Sequence, residues 1–303
     1  MGNVIRLAVR VALVAALACA AVAPAASAGA AGVPSAQAPV VHAVAASAQA
    51  TASGYWTKAR MESATPGTRG GAPGALPAAR PAAIPSPVHF AGVPTVGALF
   101  FTTGKKSHFC TASVVDSAHG DIVLTAAHCV YGGSYATNVA YVPQWHNGVS
   151  PHGIWAVRTI TVAKGWISAQ DPNLDFAFLS VAPQKAGGAP VQRVTGGLTL
   201  GVNEGFSHKV YVIGYNDTDS GPVGCSTTSA RFEPTQMRFY CNDYQDGTSG
   251  GPWILGLNRV TGSGTVFGDI GGYEQGGDFP YLSYSPYYSS SALALFQRAQ
   301  RNP

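Results

Sequence analysis

The sequence predicts an all-β fold closed by one short C-terminal helix. Three observations carry that expectation. From Val93 onward, short runs of β-branched and aromatic residues recur between clusters of Gly, Pro and Asn, and strands at such spacing form sandwiches or barrels. Helical periodicity is confined to Ser289–Ala299, where Ala292, Leu293, Leu295 and Phe296 fall on one face. The segment with these patterns is about 210 residues long, ample for a sizeable core.

The first 28 residues stand outside that fold. Arg6 and Arg10 lead into the apolar stretch Val11–Val22, and the small residues Ala26-Ser27-Ala28 follow. This is the order of a secretory signal peptide, and the apolar stretch is shorter than the roughly 18 residues of a spanning helix. Export without stable membrane association is expected. Residues 29–88 are dominated by Ala, Pro, Gly and Ser, as in Gly70–Ala75. Such a chain buries too little apolar surface to offset its entropy, so a largely disordered pro-segment or spacer is expected, with an island at Tyr55-Trp56-Thr57-Lys58 able to dock. The folded domain is then 89–303. Its expected strands are Val96–Thr102, Ala112–Val115, Ile122–Thr125, Val139–Val142, Trp155–Val162, Phe176–Val181, Val210–Gly214, Met237–Tyr240, Trp253–Leu255 and Thr265–Phe267.

Charge and cysteine content remove several classes of function. The whole chain carries a formal charge of +4, but six of its basic residues and only Glu62 among its acids precede residue 87. The remainder holds 12 basic and 13 acidic residues with no basic patch, which argues against nucleic acid as a partner. Cys19 leaves with the leader, and an even set remains: Cys110, Cys129, Cys225 and Cys241. In an exported chain four cysteines point to disulfides rather than metal ligands. Three pairings are open, and proximity favours Cys110 with Cys129 and Cys225 with Cys241. No Cys-x-x-Cys or His/Cys spacing suggests zinc, so no metal is expected.

Three local strings carry chemistry. In Leu124-Thr125-Ala126-Ala127-His128-Cys129, a strand runs into small residues that leave room for a substrate beside an imidazole. In Asn173-Leu174-Asp175-Phe176-Ala177-Phe178-Leu179, one acid sits within an apolar strand, where burial costs several kcal/mol unless strong donors meet it. Asp171 is a nearby competitor, but it precedes Pro172 in an expected turn. In Asp246-Gly247-Thr248-Ser249-Gly250-Gly251-Pro252, a serine between glycines can sit on a tight turn with backbone amides converging beside it.

In that order, these strings resemble the His, Asp and Ser blocks of trypsin/chymotrypsin-like serine peptidases. The likeness is greatest to secreted bacterial members, the glutamyl-endopeptidase-like branch and its actinobacterial relatives. His108-Phe109-Cys110-Thr111-Ala112-Ser113, Tyr141-Val142-Pro143 and Pro151-His152-Gly153 add to it, and the resemblance spans roughly residues 90 to 290. It implies two six-stranded antiparallel β-barrels and an endopeptidase acting on protein or peptide substrates, as a monomer without a cofactor. Ser249 is then the nucleophile, His128 the general base and acid, and Asp175 the residue that orients the imidazole, with the amides of Gly247 and Ser249 as oxyanion hole. One departure is Thr248, where animal relatives carry an Asp that pairs with the freed N-terminus.

The same resemblance gives the weaker expectations about substrate. Asp243 stands six residues before Ser249, where trypsin has its pocket acid. Asp269 and Gly271 lie in the stretch Val266–Gly272, where the glutamyl branch places a histidine. Two acids there imply cleavage after Arg or Lys, with Glu or broad preference as the alternative. Gly247-x-Ser249-x-Gly251 also matches the nucleophile elbow of α/β-hydrolases, but that class needs a histidine after the serine, and the last one here is His208. An inactive peptidase fold used for binding is the remaining rival.

Overall fold

The computed structural model describes residues 1–2, 34–67, 80–217 and 219–301. The expected signal peptide, beyond its first two residues, lies outside them. The N-terminal segment supplies strand β1 (Pro39–Ala43) and helix α1 (Ala46–Tyr55). Six strands then close a barrel: β2 (Val96–Thr103), β3 (Lys106–Val115), β4 (Ile122–Thr125), β5 (Thr137–Pro143), β6 (Trp155–Ala163) and β7 (Ala177–Val181). β2 pairs with β3 and β5, β3 with β4, β4 with β7, β7 with β6, and β6 with β5, all antiparallel. Every residue of β4 and β7 is buried, Thr125 and Ser180 included, as in strands covered on both faces.

The second half is built from β8 (Lys209–Tyr215), β9 (Pro222–Thr228), β10 (Gln236–Tyr240), β11 (Pro252–Leu255), β12 (Thr265–Asp269) and β13 (Leu282–Pro286). Hydrogen bonding joins β12, β11, β8 and β9 in one sheet, and β10 with β13 in another. The ladder around these six strands is therefore open at two seams. At the first, the Cys225–Cys241 disulfide ties β9 to the end of β10. At the second, the Asp269 amide donates to Ser285 Oγ at 3.0 Å, joining β12 to β13. Phe239, Tyr244, Trp253 and Phe267 form the core inside.

Three differences from the sequence expectation have physical causes. β9 and β13 were not among the expected strands: both contain Pro with Gly or Ser, residues of low strand propensity, and long-range pairing and burial override that propensity. Leu293 faces solvent, while α2 (Ser290–Ala299) buries Ala292, Leu295, Phe296 and Ala299, with Phe296 against Phe178 at 5.4 Å. Residues 39–66, expected to be disordered, are packed. β1 adds to β6 from Pro39↔Ala163 to Ala43↔Thr159. Such edge pairing uses backbone donors and acceptors and needs little side-chain hydrophobicity. Trp56 of the docking island is buried and donates Nε1–H to the Asn138 carbonyl at 2.6 Å.

Candidate active site

The barrel's pairing brings two of the three chemical strings together. Thr125, the last residue of β4, is paired with Ala177, the first of β7. The chain leaving β4 and the chain entering β7 therefore meet at one rim, carrying His128 and Asp175. His128 lies in a 3-10 turn, Ala127–Cys129, held by the Cys110–Cys129 disulfide. Asp175 is not inside a strand as expected. It follows a second 3-10 turn, Pro172–Leu174, whose first residue is preceded by Asp171 as N-cap, accepting from the Asn173 amide at 3.0 Å. Asp171 is thus occupied with its own turn.

Asp175 is fully buried and meets three donors. Its Oδ1 accepts the His128 backbone N–H at 2.9 Å, and its Oδ2 accepts His128 Nδ1 at 2.8 Å and the Gly272 amide at 2.9 Å. These bonds satisfy the carboxylate and fix the imidazole with Nδ1 as donor and Nε2 outward.

The serine arrives from the other half. Thr111 of β3 is the joint: its amide donates to the Ser249 carbonyl at 2.8 Å, its Oγ1 donates to the Gly247 carbonyl at 3.0 Å, and the Tyr215 amide donates to that same Oγ1 at 2.9 Å. Gly250 has φ of +78°, and a Cβ there would collide with the Thr111 carbonyl, Thr125 Oγ1 and the Ala126 amide. The serine turn thus lies flush against the strand end that leads to His128. Among the described residues, no group takes up the amides of Gly247 or Ser249. Ser249 Oγ and His128 Nε2 are both buried, and among the described residues neither has a hydrogen-bond partner. The bond between them is not formed in this structure, a looseness common before substrate completes a site.

Comparison with known proteins now has geometry to stand on. The model of the trypsin family matches residues 86–277. The chain belongs to the trypsin family. Among solved structures it is similar to the thermostable serine protease AL20 from an extremophilic microorganism, at 28% identity and TM-score 0.63 over 70% of this chain and 100% of that one. It is similar to the protease Anisep from Arthrobacter nicotinovorans, at 26% identity and TM-score 0.62 over 70% of this chain and 98% of the other. A Glu endopeptidase in complex with MPD, at 16% identity and TM-score 0.55 over 72% and 96% of the two chains, shares the fold. No match is found among curated proteins. The trypsin-family domain and its serine-protease neighbours make this chain a serine endopeptidase of the hydrolase class.

The two acids expected in the substrate pocket differ in their surroundings. Asp243 is exposed, on a left-handed backbone with φ of +57°, and its carbonyl accepts Asn216 Nδ2 at 2.7 Å. Asp269 is fully buried, with Oδ1 accepting the Tyr288 hydroxyl at 2.7 Å. It lies beneath Asp175, not on a pocket wall. Burial, and next the Asp175 charge, push its carboxyl well above the usual range, with the Tyr288 bond opposing. Gly271 borders Asp175, where a Cβ would come within 2.8 Å of the Asp175 carbonyl oxygen. Both disulfides join the cysteines that proximity favours. Cys110, His128 and Cys129 offer ligand atoms within 4.8 Å of one another, but both sulfurs are committed to the disulfide. Neither Thr111 nor Tyr288 was expected to serve the site: Thr111 lies inside the string His108–Ser113, and Tyr288 ends the aromatic run Tyr281–Tyr288, whose spacing points only to core packing.

Proposed function

We propose that the chain is a secreted endopeptidase that cleaves peptide bonds through Ser249, His128 and Asp175 by way of an acyl-enzyme. The observation that carries this reading is the buried Asp175 carboxylate holding His128 Nδ1 at 2.8 Å, at the rim where the Ser249 turn docks. Ser249 Oγ attacks the scissile carbonyl carbon as His128 Nε2 takes its proton. The tetrahedral oxyanion rests on the amides of Gly247 and Ser249. The amine leaves with the proton from His128, and water then repeats the sequence to free the acid and restore Ser249. Disulfides and the leader-like order of residues 1–28 support an extracellular site of action. The enzyme acts as a monomer on proteins or peptides.

Preference for Arg or Lys at the cleaved bond loses the support of Asp269, which is buried against Tyr288. It gains another: a cavity of about 440 Å³ next to the nucleophile turn is lined by Asp217, Gln245, Asp246, Asp278 and Phe279. Three carboxylates suit charge-assisted bonds to a guanidinium or ammonium group. Residues 29–88 act as a pro-segment. Its described part reaches the site, since Gly67 lines a cavity of about 450 Å³ together with His128, Phe101, His108 and Tyr131.

The test is hydrolysis of casein and of chromogenic peptides with Arg, Glu, Phe or Ala before the cleaved bond. Ser249→Ala is expected to lower turnover about a thousandfold or more, with Arg the preferred substrate of the unmodified enzyme. An inert unmodified protein, or full activity in the variant, overturns the triad; a preference for Glu overturns the pocket alone.

A further inference from the structure

Asp269 is a buried acid that the reaction as described does not use. It is fully buried, and among the described residues no ion pair reaches it. The titratable groups packed around it are Asp175, Tyr288 and, beyond Asp175, His128. Tyr288 is itself buried, held edge-on against Phe176 at 5.2 Å, and its hydroxyl fixes Oδ1 of Asp269 at 2.7 Å. The backbone beneath is pinned by the Asp269 amide on Ser285 Oγ. Oδ2 of Asp269, by contrast, has no donor.

Gly271 shows where that oxygen lies. The point its Cβ would occupy is 3.2 Å from Asp269 Oδ2 and 3.2 Å from Asp175 Oδ2, so the two oxygens flank one small space beside the catalytic carboxylate. Two ionised carboxylates cannot share such a site without a cation. Asp175 has three donors and Asp269 has one, so the negative charge belongs to Asp175 and the proton to Oδ2 of Asp269.

We propose that Asp269 is a positioning residue for the triad: a neutral carboxylic acid, clamped by Tyr288, that braces Asp175 beside Gly271. The inference rests on the triad reading above. A neutral acid at this place supplies a donor to the catalytic carboxylate without adding charge near His128. Ionised, it would set a second negative charge behind the imidazole and hold the base protonated. Glycine at 271 is required, because any side chain would enter the space between the two carboxyls.

The test compares Asp269→Asn, Asp269→Ala and Tyr288→Phe in the full chain, activated by limited proteolysis where the precursor is latent. Asparagine keeps shape, donor and neutrality, so kcat/KM is expected within about threefold of the parent, with the acid limb of its pH profile unmoved. Alanine removes the brace, and kcat is expected to fall about tenfold or more while KM changes less than twofold. Tyr288→Phe, which leaves Asp269 in place but unclamped, is expected to lower kcat in the same sense. An acid limb displaced by a pH unit or more in the Asn variant shows a charged Asp269 and overturns the proposal. So does unchanged kcat in both Ala and Phe variants. Asp175→Ala and Ser249→Ala are run alongside. If they retain activity, the triad reading is what failed; if they are inert while Asp269→Ala and Tyr288→Phe keep the parental kcat, only this inference fails.

Discussion

At the scale of single residues, Asp175 and Asp269 carry the same functional group, both fully buried, yet they face opposite demands. Asp175 accepts three hydrogen bonds, two of them from His128; Asp269 accepts one at its side chain, from Tyr288. Burial, and next the Asp175 charge, raise the Asp269 pKa against the Tyr288 bond, so the folded chain binds this proton more tightly than the unfolded chain does. The stability linked to it is full below the unfolded carboxylate value of about 4 and is lost as the pH climbs through the raised folded value. Denaturant unfolding of the parent is therefore expected to show stability declining from about pH 4 toward neutrality from this group. In Asp269→Asn that decline should be shallower. Equal slopes in the two proteins would show that Asp269 is not the group responsible. The sequence named both acids as candidates and placed Asp269 in a substrate pocket. A position count carries no information about which way a strand's side chain points once the strand is packed.

At the scale of elements, the N-terminal segment departs most from its composition. Ala, Pro and Gly gave it the look of unstructured chain, but β1 needs only an exposed edge of β6, and one tryptophan anchors the rest. Trp56 packs against Phe100 at 5.3 Å, and α1 leads directly to it. A two-residue strand, Thr65–Pro66, then runs parallel to His108–Phe109, and Gly67 borders the cavity beside His128. If this segment restrains the enzyme, loosening its anchor should raise activity before any cleavage. Trp56→Ala is expected to increase casein hydrolysis by the uncleaved chain severalfold, followed by the rate of labelling with a serine-directed phosphonate. An uncleaved parent already as active as its processed form would remove the restraining role. The Tyr55–Lys58 island was legible as a docking element because large aromatic residues in a polar stretch have few other reasons to persist against solvent. The partner surface was not legible, since it lies far along the chain, at Phe100 and Asn138.

At the scale of the whole molecule, the site exists only where the barrel meets the second set of strands. Thr111 holds that junction with one side chain and one amide, touching Gly247, Ser249 and Tyr215. Thr111→Val keeps the β-branched shape but leaves the Gly247 carbonyl and the Tyr215 amide without their partner. Turnover is expected to fall about ten- to a hundredfold with only a modest loss of thermal stability, measured by kcat alongside Tm. Parental turnover in this variant would show that Thr111 does not position the nucleophile. By itself, the sequence determined the strand-rich class, the terminal helix, the even set of four cysteines, and the His, Asp and Ser strings, because each is written in local spacing and residue type. Only the tertiary structure decided the two open seams of the second half, the joint at Thr111, the burial of Asp269 and the docking of residues 39–66. Those outcomes depend on which distant segments share a hydrogen bond or exclude water together, and long-range pairing leaves no periodic trace along the chain.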